Sequence, residues 1–194
     1  MPRLFAAIEI PDDVRQSLAR LRQPLPGANW VEPENYHLSL RFAGDIDPST
    51  AREFTDLLAR IETETFELRL TGLGAFGGRE PRSIWAGASL GPQLETLARA
   101  VERAARSAGL APETRNFKPH VTIARLRYTS PEVVARYLER HAAFRSMPFA
   151  VERFVLFSSR PKVGGGPYVV EAAFPLAGAS YADFDEEWST QGGA

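Results

Sequence analysis

The sequence predicts an α+β fold: two similar, pseudo-symmetric lobes facing each other across one central groove. Three observations carry this. Stretches with strand character alternate with stretches of helical periodicity along the 194 residues. The order strand, proline-opened helix, loop, histidine strand, helix, strand occurs twice, with 26 residues from Pro11 to His37 and 28 from Pro92 to His120. Two of the three histidines share one four-residue pattern, His37-Leu38-Ser39-Leu40 and His120-Val121-Thr122-Ile123, 83 positions apart. A rough two-fold relating the halves would bring both histidine strands to the same groove.

Arg3 to Ile10 is rich in Leu, Ile and Phe and predicts a strand. Pro11-Asp12-Asp13 opens a helix, since proline and acidic residues suit a first turn. Val14, Leu18 and Leu21 give its apolar stripe, and Pro24, Pro26 and Gly27 end it. The His37 strand follows a loop at 32–35. A second helix runs from about Ser49 to Ile61 with Phe54, Leu57, Leu58 and Ile61 inward, and Phe66 to Leu70 alternates like a half-buried strand. Gly72 to Pro81 is expected to be a glycine-rich crossover between lobes. Ser83 to Leu90 predicts a strand, and Pro92 to Ala108 a strong helix stopped by Gly109. After the His120 strand, Ser130-Pro131-Glu132 starts a helix ending near His141. Pro148 to Phe157 and Tyr168 to Phe174 predict the last strands. The expected organisation is one domain over 1–176, with lobes at about 1–71 and 82–157 and a closing strand at 168–174. An acidic tail at 177–194 follows.

Composition narrows the function. There is no cysteine, hence no disulfide, thiolate metal site or thiol nucleophile. The opening residues do not resemble a signal peptide, because the short apolar run already contains Glu9, and no stretch approaches the ~20 apolar residues that span a bilayer. A cytoplasmic monomer is expected. The net charge is −1, but the tail holds Asp183, Asp185, Glu186 and Glu187 and no base. The remainder carries 23 basic against 20 acidic residues, or +3, which permits an anionic ligand.

Residues i and i+2 of a strand share a face, so each histidine shares a face with its hydroxyl residue. Imidazole titrates near neutrality, so one copy can accept a proton while the other donates. Two imidazoles across a groove suit in-line attack on phosphorus, and Ser39 and Thr122 would donate to the non-bridging oxygens as charge builds there. No metal or other cofactor is required. A zinc site needs three or four ligands, and only His141, at a helix end, remains. Arg41 shares the face of His37 in an ideal strand and would add positive charge. Trp30 is expected to be buried. Tyr181, Phe184 and Trp188 of the tail alternate with acids; a disordered tail is expected, with folding over the basic groove as the alternative.

With these motifs in hand, the chain resembles the two-histidine phosphoesterase superfamily, specifically the RNA 2′,3′-cyclic phosphodiesterase family, also described as 2′-5′ RNA ligase-like. The resemblance rests on Arg3-Leu4-Phe5-Ala6-Ala7-Ile8, Asn35 to Gly44, Arg82-Ser83-Ile84-Trp85, Arg115 to Arg125 and Gly166-Pro167-Tyr168, and covers about residues 3–176. It implies antiparallel sheets lining the groove with helices outside. It further implies metal-independent hydrolysis of an RNA 2′,3′-cyclic phosphate end to a 2′-phosphate, tRNA-like fragments included, and weak 2′-5′ joining of RNA ends. By this resemblance His37 is the general acid to O3′, His120 the general base on water, and Ser39 and Thr122 the phosphate ligands. Arg125 is carried over as a phosphate or stacking contact, although strand alternation turns it away from His120 unless a bulge intervenes. Phe5 and Tyr168 are further substrate contacts. The chain departs from the family where Ala6 replaces a second aromatic and Ser39 replaces a threonine.

Two other readings use the same groove. The same chemistry would act on a small cyclic nucleotide or a 2′-5′ oligoadenylate, since base contacts lie in loops. A non-catalytic module would bind RNA ends without turnover.

Overall fold

The computed structural model describes residues 3–159 and 168–179. The first half comprises β1 (Arg3–Glu9), α1 (Asp12–Ala19), β2 (Ala28–Trp30), β3 (His37–Gly44), α2 (Pro48–Leu58) and β4 (Phe66–Leu68). Then come β5 (Leu70–Phe76), β6 (Ser83–Ala88), α3 (Pro92–Ser107), β7 (His120–Leu126) and α4 (Pro131–Arg140). The chain closes with β8 (Phe149–Val151), β9 (Arg153–Ser159) and β10 (Val169–Pro175).

Helix starts obey local chemistry. Asp47 accepts from the amides of Ser49 and Thr50 at 2.9 and 3.1 Å, and Ser130 accepts from that of Val133 at 3.3 Å. Each satisfies donors that the first turn leaves open. Apolar stripes such as Leu94, Leu97, Val101 and Ala105 of α3 are fully buried against the sheet.

An eight-stranded sheet runs in the order β10-β9-β1-β3-β7-β6-β5, with β2 also on β7. Every pairing between its strands is antiparallel. One face carries the main core, including Leu38, Ile84, Val121 and Ile123 beneath the helices, and the other holds a small cluster of Phe5, Ala7, Val155 and Phe157. The two lobes are therefore halves of one continuous sheet, joined at the β3–β7 seam.

Each half sends its last strand to the other lobe. β5, from the first half, pairs with β6, and β9, from the second half, pairs with β1. The preceding short strands β4 and β8 pair with each other where the chains cross. The expected division at 1–71 and 82–157 does not include this exchange. It also corrects the expected linker, because Gly72–Phe76 is strand. Gly74 lies opposite Trp85, and a Cβ there would meet the indole at 2.3 Å. The glycine makes room for the ring and does not mark a connector. The stretch 148–157 likewise divides into two strands in two sheets, because Glu152 separates β8 from β9. The short β2 lacked a readable pattern. Arg160–Pro167 and residues 180–194, with Tyr181, Phe184 and Trp188, lie outside the described residues.

Candidate active site

The seam sets the geometry. Leu38 pairs with Val121, and both are wholly buried on the core side. One step either way along this antiparallel pair, His37 stands opposite Thr122 and Ser39 opposite His120. Directly opposed side chains project to one face. All four are half-buried on the face away from the helices. Each hydroxyl residue therefore lies across from the other strand's histidine as well as two residues from its own. The two histidines are diagonal neighbours on that face, a relation that separates residues by roughly 7–8 Å.

The imidazoles are held alike. Nδ1 of His37 donates to the Asn35 carbonyl at 2.8 Å, and Nδ1 of His120 donates to the Lys118 carbonyl at 2.6 Å. A carbonyl only accepts, so each Nδ1 carries a proton and each Nε2 is the atom free to exchange one. In both cases the carbonyl belongs to the residue two before the histidine, a repeat that the side-chain motif does not reveal.

A second repeated feature, a bulge in each histidine strand, determines which side chains beyond the motifs reach the site. In β3 the pairing steps from Ala7–Ser39 to Ala6–Arg41, leaving Leu40 as an extra residue. In β7 it steps from Trp85–Thr122 to Ile84–Ala124, leaving Ile123 extra. Both bulges fall three residues after the histidine, and each reverses the alternation. Arg125 thereby reaches the face of the two histidines, opposite Ser83 and Asn29, where its charge is felt at His37. The same step removes Arg41 from the groove. Arg41 lies opposite Ala6, a core residue, and its guanidinium pairs with Glu102 of α3 at 2.6 Å. The expectation that Arg41 charges the groove is thus corrected. Phe42 takes the place beside Phe5 instead, with ring centroids 5.3 Å apart, and is 55% exposed. Sequence reasoning missed Phe42, although its offset from His37 equals that of Arg125 from His120.

The surroundings of the two histidines differ. His37 rests on Phe5 at 4.9 Å, Tyr168 at 5.1 Å and Phe157 at 6.0 Å. Burial in this aromatic wall lowers its pKa to about 4, with smaller contributions from Arg125 and His120. Phe5 is itself buried, so it supports His37 and offers no open face to a ligand. His120 contacts Phe76 at 4.9 Å and Trp85 at 5.9 Å. The Lys118 ammonium sits 4.6 Å from the Trp85 ring centroid. The pKa of His120 is also lowered, mainly by burial, with the charge of Lys118 acting in the same direction. Trp30 faces away from this site, against Tyr137 at 5.8 Å, and His141 ends α4 beside Tyr137. Among the described residues no three His, Asp or Glu side chains gather to hold a metal ion, and no helix is long and apolar enough to cross a membrane.

The LigT like Phosphoesterase family model matches residues 8–85 and 88–168. An RNA 2′,3′-cyclic phosphodiesterase of Geobacillus stearothermophilus is 33% identical over 186 residues, covering 90% of this chain and 57% of that protein. Another, of Aeropyrum pernix, is 40% identical over 116 residues, 59% of this chain and 64% of that one. The chain thus spans less than two thirds of the length of either relative. The crystal structure of E. coli LigT complexed with 3′-AMP is 27% identical with a TM-score of 0.76, covering 91% of this chain and 99% of that one.

Proposed function

We propose, from the premise that the chain belongs to the LigT like Phosphoesterase family, that it hydrolyses the 2′,3′-cyclic phosphate at the end of an RNA to a 2′-phosphate. The two relatives carry the name of this activity, and E. coli LigT has been crystallised with 3′-AMP and with phosphate. The observation that carries the reading is the crossed quartet of His37, Ser39, His120 and Thr122 on one sheet face.

Water attacks phosphorus and passes its proton to Nε2 of one imidazole. The P–O3′ bond breaks in line with the attack, and O3′ takes a proton from Nε2 of the other. Ser39, Thr122 and Arg125 hold the non-bridging oxygens, where negative charge grows. The unlike arms of the site orient the substrate. The terminal base stacks on Phe42, on the side of His37, while the phosphate is drawn toward Arg125. O3′ belongs to that terminal nucleoside and so leaves beside His37, the general acid. Water arrives from the opposite side, beside His120, the general base. Burial keeps free His37 neutral near pH 7, and the anionic phosphate raises its pKa on binding. An RNA 5′-hydroxyl in place of water would form a 2′-5′ linkage with each histidine keeping its role.

The test is product analysis on an oligoribonucleotide ending in a 2′,3′-cyclic phosphate. A 2′-phosphate formed at an unchanged rate in EDTA is expected. A 3′-phosphate product would reverse the polarity, and tight binding of 2′-phosphorylated ends without turnover would leave only an RNA-end-binding module.

A further inference from the structure

β7 leads out of the catalytic quartet, and its far end displays an unusual residue. Tyr128 has φ 55°, the one positive φ found on a non-glycine residue among the described residues. Its side chain is 95% exposed. A bulky residue in the left-handed region costs roughly 1 kcal/mol or more and persists only where its neighbours impose it. Here they do. The Arg127 amide donates to the Gly27 carbonyl at 2.9 Å, and the buried Thr129 hydroxyl donates to the Pro26 carbonyl at 2.9 Å. Gly27 has no room for a Cβ, which would lie 2.1 Å from the Arg127 carbonyl oxygen. Tyr128 is therefore presented rigidly, with the Arg127 guanidinium 5.6 Å from its ring centroid.

The path from the site to this ring is cationic. Arg125 lies on the catalytic face, and Arg82 accepts the Leu126 amide through its carbonyl at 2.8 Å. Arg82, Arg125 and Arg127 are all exposed, and none of them forms an ion pair among the described residues. Tyr128 stands three residues beyond Arg125, just past the end of β7, and so within about 10 Å along the chain, the scale of a nucleotide or two. Unpaired arginines beside a rigid exposed ring are the elements of single-strand recognition, charge for the backbone and a stacking face for a base.

We infer that Arg127 and Tyr128 form a subsite for the single-stranded RNA leading up to the cyclic phosphate, so that the enzyme prefers a polynucleotide end to a mononucleotide. This rests on the function proposed above and names its substrate class. The test compares a nucleoside 2′,3′-cyclic phosphate with a short oligoribonucleotide ending in the same group. Tyr128→Gly relieves the positive φ, so its Tm should rise. Its kcat/KM on the oligonucleotide should fall about tenfold while that on the mononucleotide stays within about twofold. Tyr128→Trp should retain the preference, and Arg127→Gln should lower the salt dependence of oligonucleotide use. Binding of a 2′-phosphorylated oligonucleotide, measured by fluorescence anisotropy, reads the same loss without turnover. Equal effects on both substrates, or unchanged oligonucleotide binding in Tyr128→Gly, would overturn the subsite. Absence of turnover of both the oligonucleotide and the mononucleotide by the wild-type protein would instead count against the hydrolase reading.

Discussion

Phe42 and Arg125 hold equivalent places in the two halves. Each stands five residues beyond its histidine and is carried onto the histidine-bearing face by a bulge at the third. One half thus ends in a phenyl ring and the other in a guanidinium, and the pseudo-symmetric site acquires a direction.

Substitutions at these two positions should separate binding from catalysis. Phe42→Ala is expected to raise KM about tenfold with kcat nearly unchanged, the loss of one stacked base. Arg125→Ala should lower kcat/KM by about 10²–10³, as expected for loss of a charged donor to the transition state. Steady-state kinetics on a cyclic-phosphate substrate decides both.

Replacing either histidine by alanine should reduce kcat by about 10²–10⁴, and the double replacement should cost far less than the product of the two, because the pair acts as a unit. Both side chains lie off the main core, so the circular dichroism spectra should be unchanged. Additive losses would argue that the histidines act separately.

The depressed histidine pKa values set the pH behaviour. In the unfolded chain His37 titrates near 6.5, and in the folded protein at about 4. Between these values the unfolded state binds more protons, so this contribution to stability is present above pH 6.5 and is lost as pH falls toward 4. His37→Gln should therefore flatten the decline of Tm over that window. Activity from the free enzyme needs one imidazolium and one imidazole. The maximum of kcat/KM is thus expected on the acid side of neutrality, and Lys118→Met should move its alkaline limb to higher pH.

Arg41 tests the reversal of alternation. Arg41→Met breaks a half-buried pair with Glu102 and should destabilise the protein by about 1–3 kcal/mol. Its kcat/KM should stay within about twofold of wild type, unlike that of Arg125→Ala. A large loss of activity at full stability would return Arg41 to the groove.

Gly74→Ala should destabilise by about 1–3 kcal/mol, because its methyl group would overlap the Trp85 indole. Trp85 borders His120, so the intrinsic fluorescence and the activity should change together. Normal stability would show that the indole is not confined.

Much of the site was legible because its period is local. Alternation in a strand places His37 with Ser39 and His120 with Thr122, and the duplicated order of elements pairs the motifs. Arg125 was recognisable as a candidate with the condition attached that a bulge deliver it. Arg41 and Phe42 exchanged places because alternation counts residues in one strand, whereas a bulge is a mismatch between two. The carbonyls of Asn35 and Lys118 left no trace, since every residue has one.

The sequence by itself determined most of the elements, their duplicated order, the two histidine motifs and, with its glycines and prolines, most of the boundaries. Those arise from short-range periodicity and the capping preferences of single residues. Tertiary structure alone decided that the lobes share one sheet, that each half lends its last strand to the other, and that each hydroxyl stands across from the opposite histidine. It also decided which residue beyond each bulge shares the face of the histidines. These depend on register between segments 83 residues apart, and register is set by which side chains fit together in the shared core.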